Sequence, residues 1–98
     1  MSISEEDLLI LIFLGRMEMA YKENDTAEIN QNASLLMEQV RKIFSTKDEQ
    51  QALLEFTKNG RNRDIIYRYY SCLDDKEKAG CYYDSLWDTP FVISKYIF

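Results

Sequence analysis

The sequence predicts an all-α fold: a compact bundle of five or six helices in a single domain over residues 1–98, with an apolar first helix at its centre. Three observations predict it. Apolar residues recur at helical spacing along most of the chain. Helix-start signatures recur between those stretches. Only three Gly and one Pro occur among 98 residues, too few turn formers for an all-β architecture. A hydrophobic fraction of 46% with 13% aromatics also excludes an intrinsically disordered chain.

The starts come first, because they divide the chain. A side-chain oxygen three residues ahead of a Glu or Gln satisfies backbone N–H groups that a helix leaves free. Ser2…Glu5, Asp25…Glu28, Thr46…Glu49 and Asp74…Glu77 have this spacing. Thr89-Pro90 adds a start with proline at the first helical position, and Asn62 is placed to cap a helix from Arg63. Asn59-Gly60 reads as a stop. The predicted helices run over 4–22, 26–45, 47–58, 63–72, 75–88 and 90–98.

The first of these is apolar on every side from Leu8 to Leu14, the pattern of a helix enclosed by its neighbours, and Met17, Ala20 and Tyr21 continue one face. The second has a single seam, Ile29, Ala33, Leu36, Val40 and Ile43, widened by Leu35, Met37 and Phe44. Gln31, Glu38, Arg41 and Lys42 lie away from that seam. The segment 91–98 is rich in aromatic and β-branched residues and is expected to be packed, either on the core or against a second copy.

Composition removes whole classes of chemistry. Histidine is absent, so no Ser-His-Asp or Cys-His nucleophile pair and no histidine metal site can be built. Cys72 and Cys81 match no zinc spacing and read as reduced, buried thiols. The longest apolar run, Leu8–Leu14, falls far short of the roughly 20 residues that span a bilayer. Acidic residues precede it where a signal peptide has basic ones, so a cytoplasmic protein without membrane association is expected. No cofactor is indicated. Asp84 and Asp88 share a helical face, and a small metal-dependent hydrolase built on them is one alternative reading. Helix capping accounts for the cluster Asp74, Asp75 and Glu77.

Charge and aromatic content point to a surface instead. The formal net charge is −5, and residues 1–49 carry ten acids against five bases while residues 50–98 carry seven of each. Within the second half, Arg61, Arg63 and Arg68 lie beside Tyr67, Tyr69 and Tyr70, followed by Tyr82, Tyr83 and Trp87. Arg, Tyr and Trp dominate the energetics of protein interfaces because they combine large contact area with directed hydrogen bonds. Adjacent tyrosines on one helix diverge, so at least one ring is expected at the surface. The candidate partner-binding set is Arg61, Arg63, Arg68, Tyr69, Tyr82 and Trp87.

The function expected from these features is non-enzymatic and stoichiometric. The chain reads as a small acidic binding protein for a protein partner, such as an inhibitor or an immunity or anti-defence neutraliser of a basic enzyme like a nuclease. A nucleic-acid regulator using the Arg and Tyr patch is the second alternative, disfavoured by the negative total charge. A homo-oligomer through residues 91–98 is compatible with either.

Overall fold

Side chains that stand in for missing backbone partners set the helix ends. The computed structural model describes residues 4–83, which form five helices: α1 (Glu5–Lys22), α2 (Thr26–Ile43), α3 (Glu49–Phe56), α4 (Gly60–Cys72) and α5 (Lys76–Tyr82). No strand occurs among the described residues. The all-α expectation holds. The sixth expected helix, 90–98, lies outside the described residues, as do Ser2, Asp84, Trp87 and Asp88.

Every described helix starts on an Asx or Ser cap. Ser4 accepts from the Asp7 N–H, Asp25 from Glu28, Asp48 from Gln50 and Gln51, Asn59 from Arg61, and Asp75 from Lys78. Four of the expected starts shift by one to three residues, the first because Ser4, in place of Ser2, caps α1. Thr46 caps nothing itself; its Oγ1 accepts from the Asp48 N–H at 3.1 Å and orients Asp48, the residue that does cap α3. Asp75 replaces Asp74 at the start of α5. Asn59, read as part of a stop, starts α4, and Asn62 instead donates from Nδ2 to the Phe56 carbonyl at 2.9 Å, tying the end of α3 to the start of α4.

The stops rely on a device that the glycine count conceals. Asn24, Ser45 and Asp74 take left-handed backbone conformations with φ of 57°, 50° and 55°. Each closes a helix in the same way. Asp25 N–H reaches Ala20 O while Asn24 N–H reaches Tyr21 O; Thr46 and Ser45 repeat this at α2, and Asp75 and Asp74 at α4. This paired closure normally uses glycine. Here all three Gly lie elsewhere, none with positive φ. At the last described residue, Tyr83, the backbone is extended, so α5 stops at Tyr82.

The core is one cluster drawn from all five helices. Ile10, Leu14, Met17 and Ala20 of α1 meet Ile29, Ala33, Leu36, Met37 and Val40 of α2; of the rest of the expected α2 seam, Ile43 and Phe44 are partly buried against this cluster and Leu35 is exposed instead. Ala52, Leu53 and Phe56 of α3, Ile66, Tyr69, Tyr70 and Cys72 of α4, and Ala79 of α5 complete it. The α1–α2 hairpin forms the largest interface; α4 packs on α1, α5 on α4 and α3 on α2. Phe44 meets Phe56 edge-on, with centroids 6.5 Å apart, joining the end of α2 to α3. One polar side chain, Asn32, is buried among the described residues, and its Nδ2 donates to the backbone and side-chain oxygens of Glu28.

Among the described residues, α1 is not enclosed on every side. Among the described residues, α1 packs against α2 and α4. Leu8, Leu9, Leu11 and Ile12 remain 39–49% exposed. Uniform apolarity fits an enclosed helix and equally a helix with two apolar faces, and among the described residues one of the two faces of α1 is partly exposed. Cys81, expected in the core, is exposed, because the buried side of the short α5 is centred on Ala79.

Candidate protein interface

The Arg and Tyr cluster of α4 is largely engaged within the chain. Arg68 donates from Nε and Nη2 to the two carboxylate oxygens of Glu18 on α1, at 3.0 and 2.6 Å, and from Nη1 to Asp64 at 3.5 Å. Hydrogen bonding to Glu18 raises the Arg68 pKa further above its already high value. Arg63 donates from Nη2 to the Cys81 carbonyl at 3.0 Å, placing a cation against the C-terminal end of α5. Its guanidinium also lies 5.7 Å from the Tyr82 ring centroid. Only Arg61 of the three arginines is fully exposed.

The tyrosines behave likewise. Tyr69 and Tyr70 are buried and meet edge-on with centroids 4.9 Å apart; Tyr82 stacks on Tyr70 at 6.0 Å. Burial pushes the Tyr69 hydroxyl pKa up to about 12 and raises those of Tyr70 and Tyr82. Tyr69 therefore corrects its expected place at the surface. The α4 backbone is flanked on more than one side, so diverging rings both find cover, and the ring that stays half-buried is Tyr67. Of the sequence-derived set, Arg63 and Tyr82 come together; Arg68 turns toward α1 and Tyr69 into the core. Trp87 lies outside the described residues.

A groove of about 460 Å³ separates α1, α4 and α5, lined by Tyr21, Tyr67, Ser71, Asp74 and Tyr83 among others. The Tyr21 hydroxyl donates to Asp74 Oδ1 at 3.1 Å, which raises the tyrosine pKa, and Tyr67 packs against Tyr83 at 5.4 Å. Cys72 sits at the edge of this region with its thiol pKa raised by burial, the opposite of an activated nucleophile. Among the described residues, no three Cys, Asp or Glu side chains gather in a way that would hold a metal ion.

Among the described residues, an exposed apolar surface lies on α1. Ile10, Leu14 and Met17 face the core, and on the opposite side of the same helix Leu8, Leu11, Ile12 and Met19 face outward, with Met19 64% exposed. Gly15 stands in the middle of this outer stripe, and a side chain built there would meet nothing within 4 Å. Leu8, Ile12, Gly15 and Met19 are spaced 4-3-4, the spacing of a helix-packing seam. The sequence carries that signal. It was obscured because the two seams overlap in one run of apolar letters.

Comparison with known protein families, with curated proteins and with solved structures finds no match. The site must therefore be read from its own chemistry. No helix among the described residues is long and apolar enough to cross a membrane. The stripe on α1 is an exposed apolar patch among the described residues, a kind of surface found at contacts with proteins, membranes or ligands.

Proposed function

We propose that the protein is a non-enzymatic binding protein that acts by stoichiometric association with protein surfaces, with the outer stripe of α1 as its contact surface. The observation that carries this reading is the row Leu8, Leu11, Ile12 and Met19, left open directly opposite the core-facing side of the same helix. Burying these partly exposed side chains would recover a fraction of the roughly 1.5–3 kcal/mol that full burial of one such side chain is worth. The Arg and Tyr cluster supports a different role, bracing α4 to α1 and α5.

Exposed acids adjoin the stripe: Glu5, Glu6 and Asp7 occupy the first turn of α1. With the acidic excess of residues 1–49, they favour partners of basic character. A nuclease or another nucleic-acid-handling enzyme is of that kind, and a small acidic protein that occludes one would act as an inhibitor or immunity-type neutraliser. The test is affinity capture from lysate of the source cells with wild type and Met19→Glu side by side. A partner held stoichiometrically by wild type and lost with the variant is the expected result. A partner held equally by both removes α1 as the contact surface.

A further inference from the structure

We propose that Asn59 is a covalent modification site, deamidating spontaneously at a rate set by opening of the first turn of α4. The chain holds five asparagines, and only Asn59 is followed by glycine. That neighbour decides the chemistry. The Gly60 amide nitrogen is the nucleophile that attacks the Asn59 side-chain carbonyl carbon, and without a Cβ at position 60 nothing obstructs its approach. The fold does not call for a glycine there. Gly60 does not have a positive φ, and a Cβ built on it would meet nothing within 4 Å. In a helical turn glycine is also the poorer choice beside alanine. Asn59 and Gly60 are both exposed, so water and solvent base reach them.

The reaction needs water alone as co-reactant. The Gly60 N–H gives its proton to solvent base, and its nitrogen bonds to Asn59 Cγ. The Cγ–Nδ2 bond then breaks and ammonia leaves with a proton taken from water. A second water opens the cyclic imide at either carbonyl. The net change is amide plus water to carboxylate plus ammonium, leaving aspartate or isoaspartate at position 59. Aspartate caps a helix about as well as asparagine does. Isoaspartate inserts a methylene into the main chain and withdraws the cap from α4.

The folded backbone holds this reaction back. Ring closure brings the Gly60 nitrogen into line with Asn59 Cβ, which on an L-residue requires ψ of about −120°. Asn59 sits at ψ 115°. The nitrogen must therefore swing by roughly 125° about the Cα–C bond. Three contacts oppose that swing. Asn59 Oδ1 accepts from the Arg61 N–H at 3.1 Å, the Asn59 carbonyl accepts from the Asn62 N–H at 2.9 Å, and Asn62 Nδ2 donates to the Phe56 carbonyl at 2.9 Å. The reactive form is the one in which this turn has opened, and helix ends are where local opening costs least.

The experiment incubates the full chain in mildly alkaline buffer, folded and in concentrated urea, and follows each asparagine by peptide mass spectrometry. Chromatography separates aspartate from isoaspartate, and circular dichroism checks that each variant folds. Asn59 should react ahead of the other four asparagines in both states, and at least about tenfold more slowly in the folded protein than in urea. Gly60→Ala should slow the reaction in urea by about tenfold or more. Asn62→Ala, which removes the tie to Phe56, should speed it several-fold in the folded protein and leave the rate in urea unchanged. An Asn59 that stays intact in urea, or another asparagine that reacts first, overturns the site. Equal rates in the folded and unfolded chains, or a folded Asn62→Ala protein reacting no faster than wild type, overturn the control by the α4 turn.

Discussion

The guanidinium of Arg68 grips both carboxylate oxygens of Glu18, fifty residues away in sequence, and this fork is the ion pair that fastens α4 to α1. Both side chains keep about a third or more of their surface in water. Solvent screening therefore holds the contribution to about 1 kcal/mol, at the upper end for exposed pairs because the contact is bidentate. Glu18→Gln should lower stability by about that amount, a fall in Tm of roughly 5 °C in a chain of this size. Arg68→Lys should not preserve the wild-type value, since an ammonium cannot present two parallel donors. Thermal unfolding at low salt and in 1 M NaCl checks both. An unchanged Tm in Glu18→Gln would show that the fork contributes nothing.

The left-handed closures make a prediction of the opposite sign. Ser45 ends α2 at φ 50°, a conformation that Asn24 and Asp74 tolerate better than serine does. No side-chain hydrogen bond from Ser45 compensates among the described residues of the loop, where the Thr46 hydroxyl accepts from the Asp48 N–H. Ser45→Gly should stabilise the protein by about 0.5–1 kcal/mol, the strain relieved exceeding the added freedom of the unfolded chain. Asp74→Gly should gain less, because Asp74 also accepts the Tyr21 hydroxyl. Urea denaturation of the two variants in parallel gives the order; Asp74→Gly as the more stable would reverse this account.

These elements show what the sequence made legible. The α2 seam from Ile29 to Val40 emerges as read, because one apolar face against polar letters has a single solution. Among the described residues the α1 run did not, since a helix apolar on two opposite sides spells the same letters as an enclosed one. Capping chemistry was recognised by residue type but displaced at Asp48, Asn59 and Asp75, where neighbouring Thr, Asn and Asp compete for one role and only the backbone path decides. The α4 arginines misled for a related reason. A guanidinium looks the same in sequence whether it meets solvent, as at Arg61, or an internal carboxylate, as at Arg68.

Buried tyrosines make the fold sensitive to alkali. The Tyr69 hydroxyl has its pKa raised by burial from 10.0 to about 12, and Tyr70 is raised in the same direction. The folded state thus holds protons that the unfolded chain releases near pH 10, so the stabilisation is intact below that pH and is lost as pH rises toward 12. Tyr69 alone accounts for about 3 kcal/mol of the loss by the upper limit. Urea unfolding at pH 8, 10.5 and 11.5 should show a steep decline, and Tyr69→Phe should decline less steeply over the same window. Equal declines in the two proteins would assign the alkaline loss to other groups.

Core and surface leucines should separate sharply. Leu36 is fully buried at the centre of the α2 seam, whereas Leu54 on α3 is 59% exposed. Removing the Leu36 side chain leaves a cavity lined by side chains that can only partly relax inward, and Leu36→Ala should cost about 2–5 kcal/mol. For a chain of this length that is a large share of the total stability, and partial unfolding at 37 °C is expected. Leu54→Ala should stay within about 0.5 kcal/mol, helped by the better helix propensity of alanine. Denaturant unfolding of both variants decides the matter. A Leu54→Ala loss approaching that of Leu36→Ala would mean that the outer side of α3 is covered in the protein, and that its burial has been assigned to the wrong face.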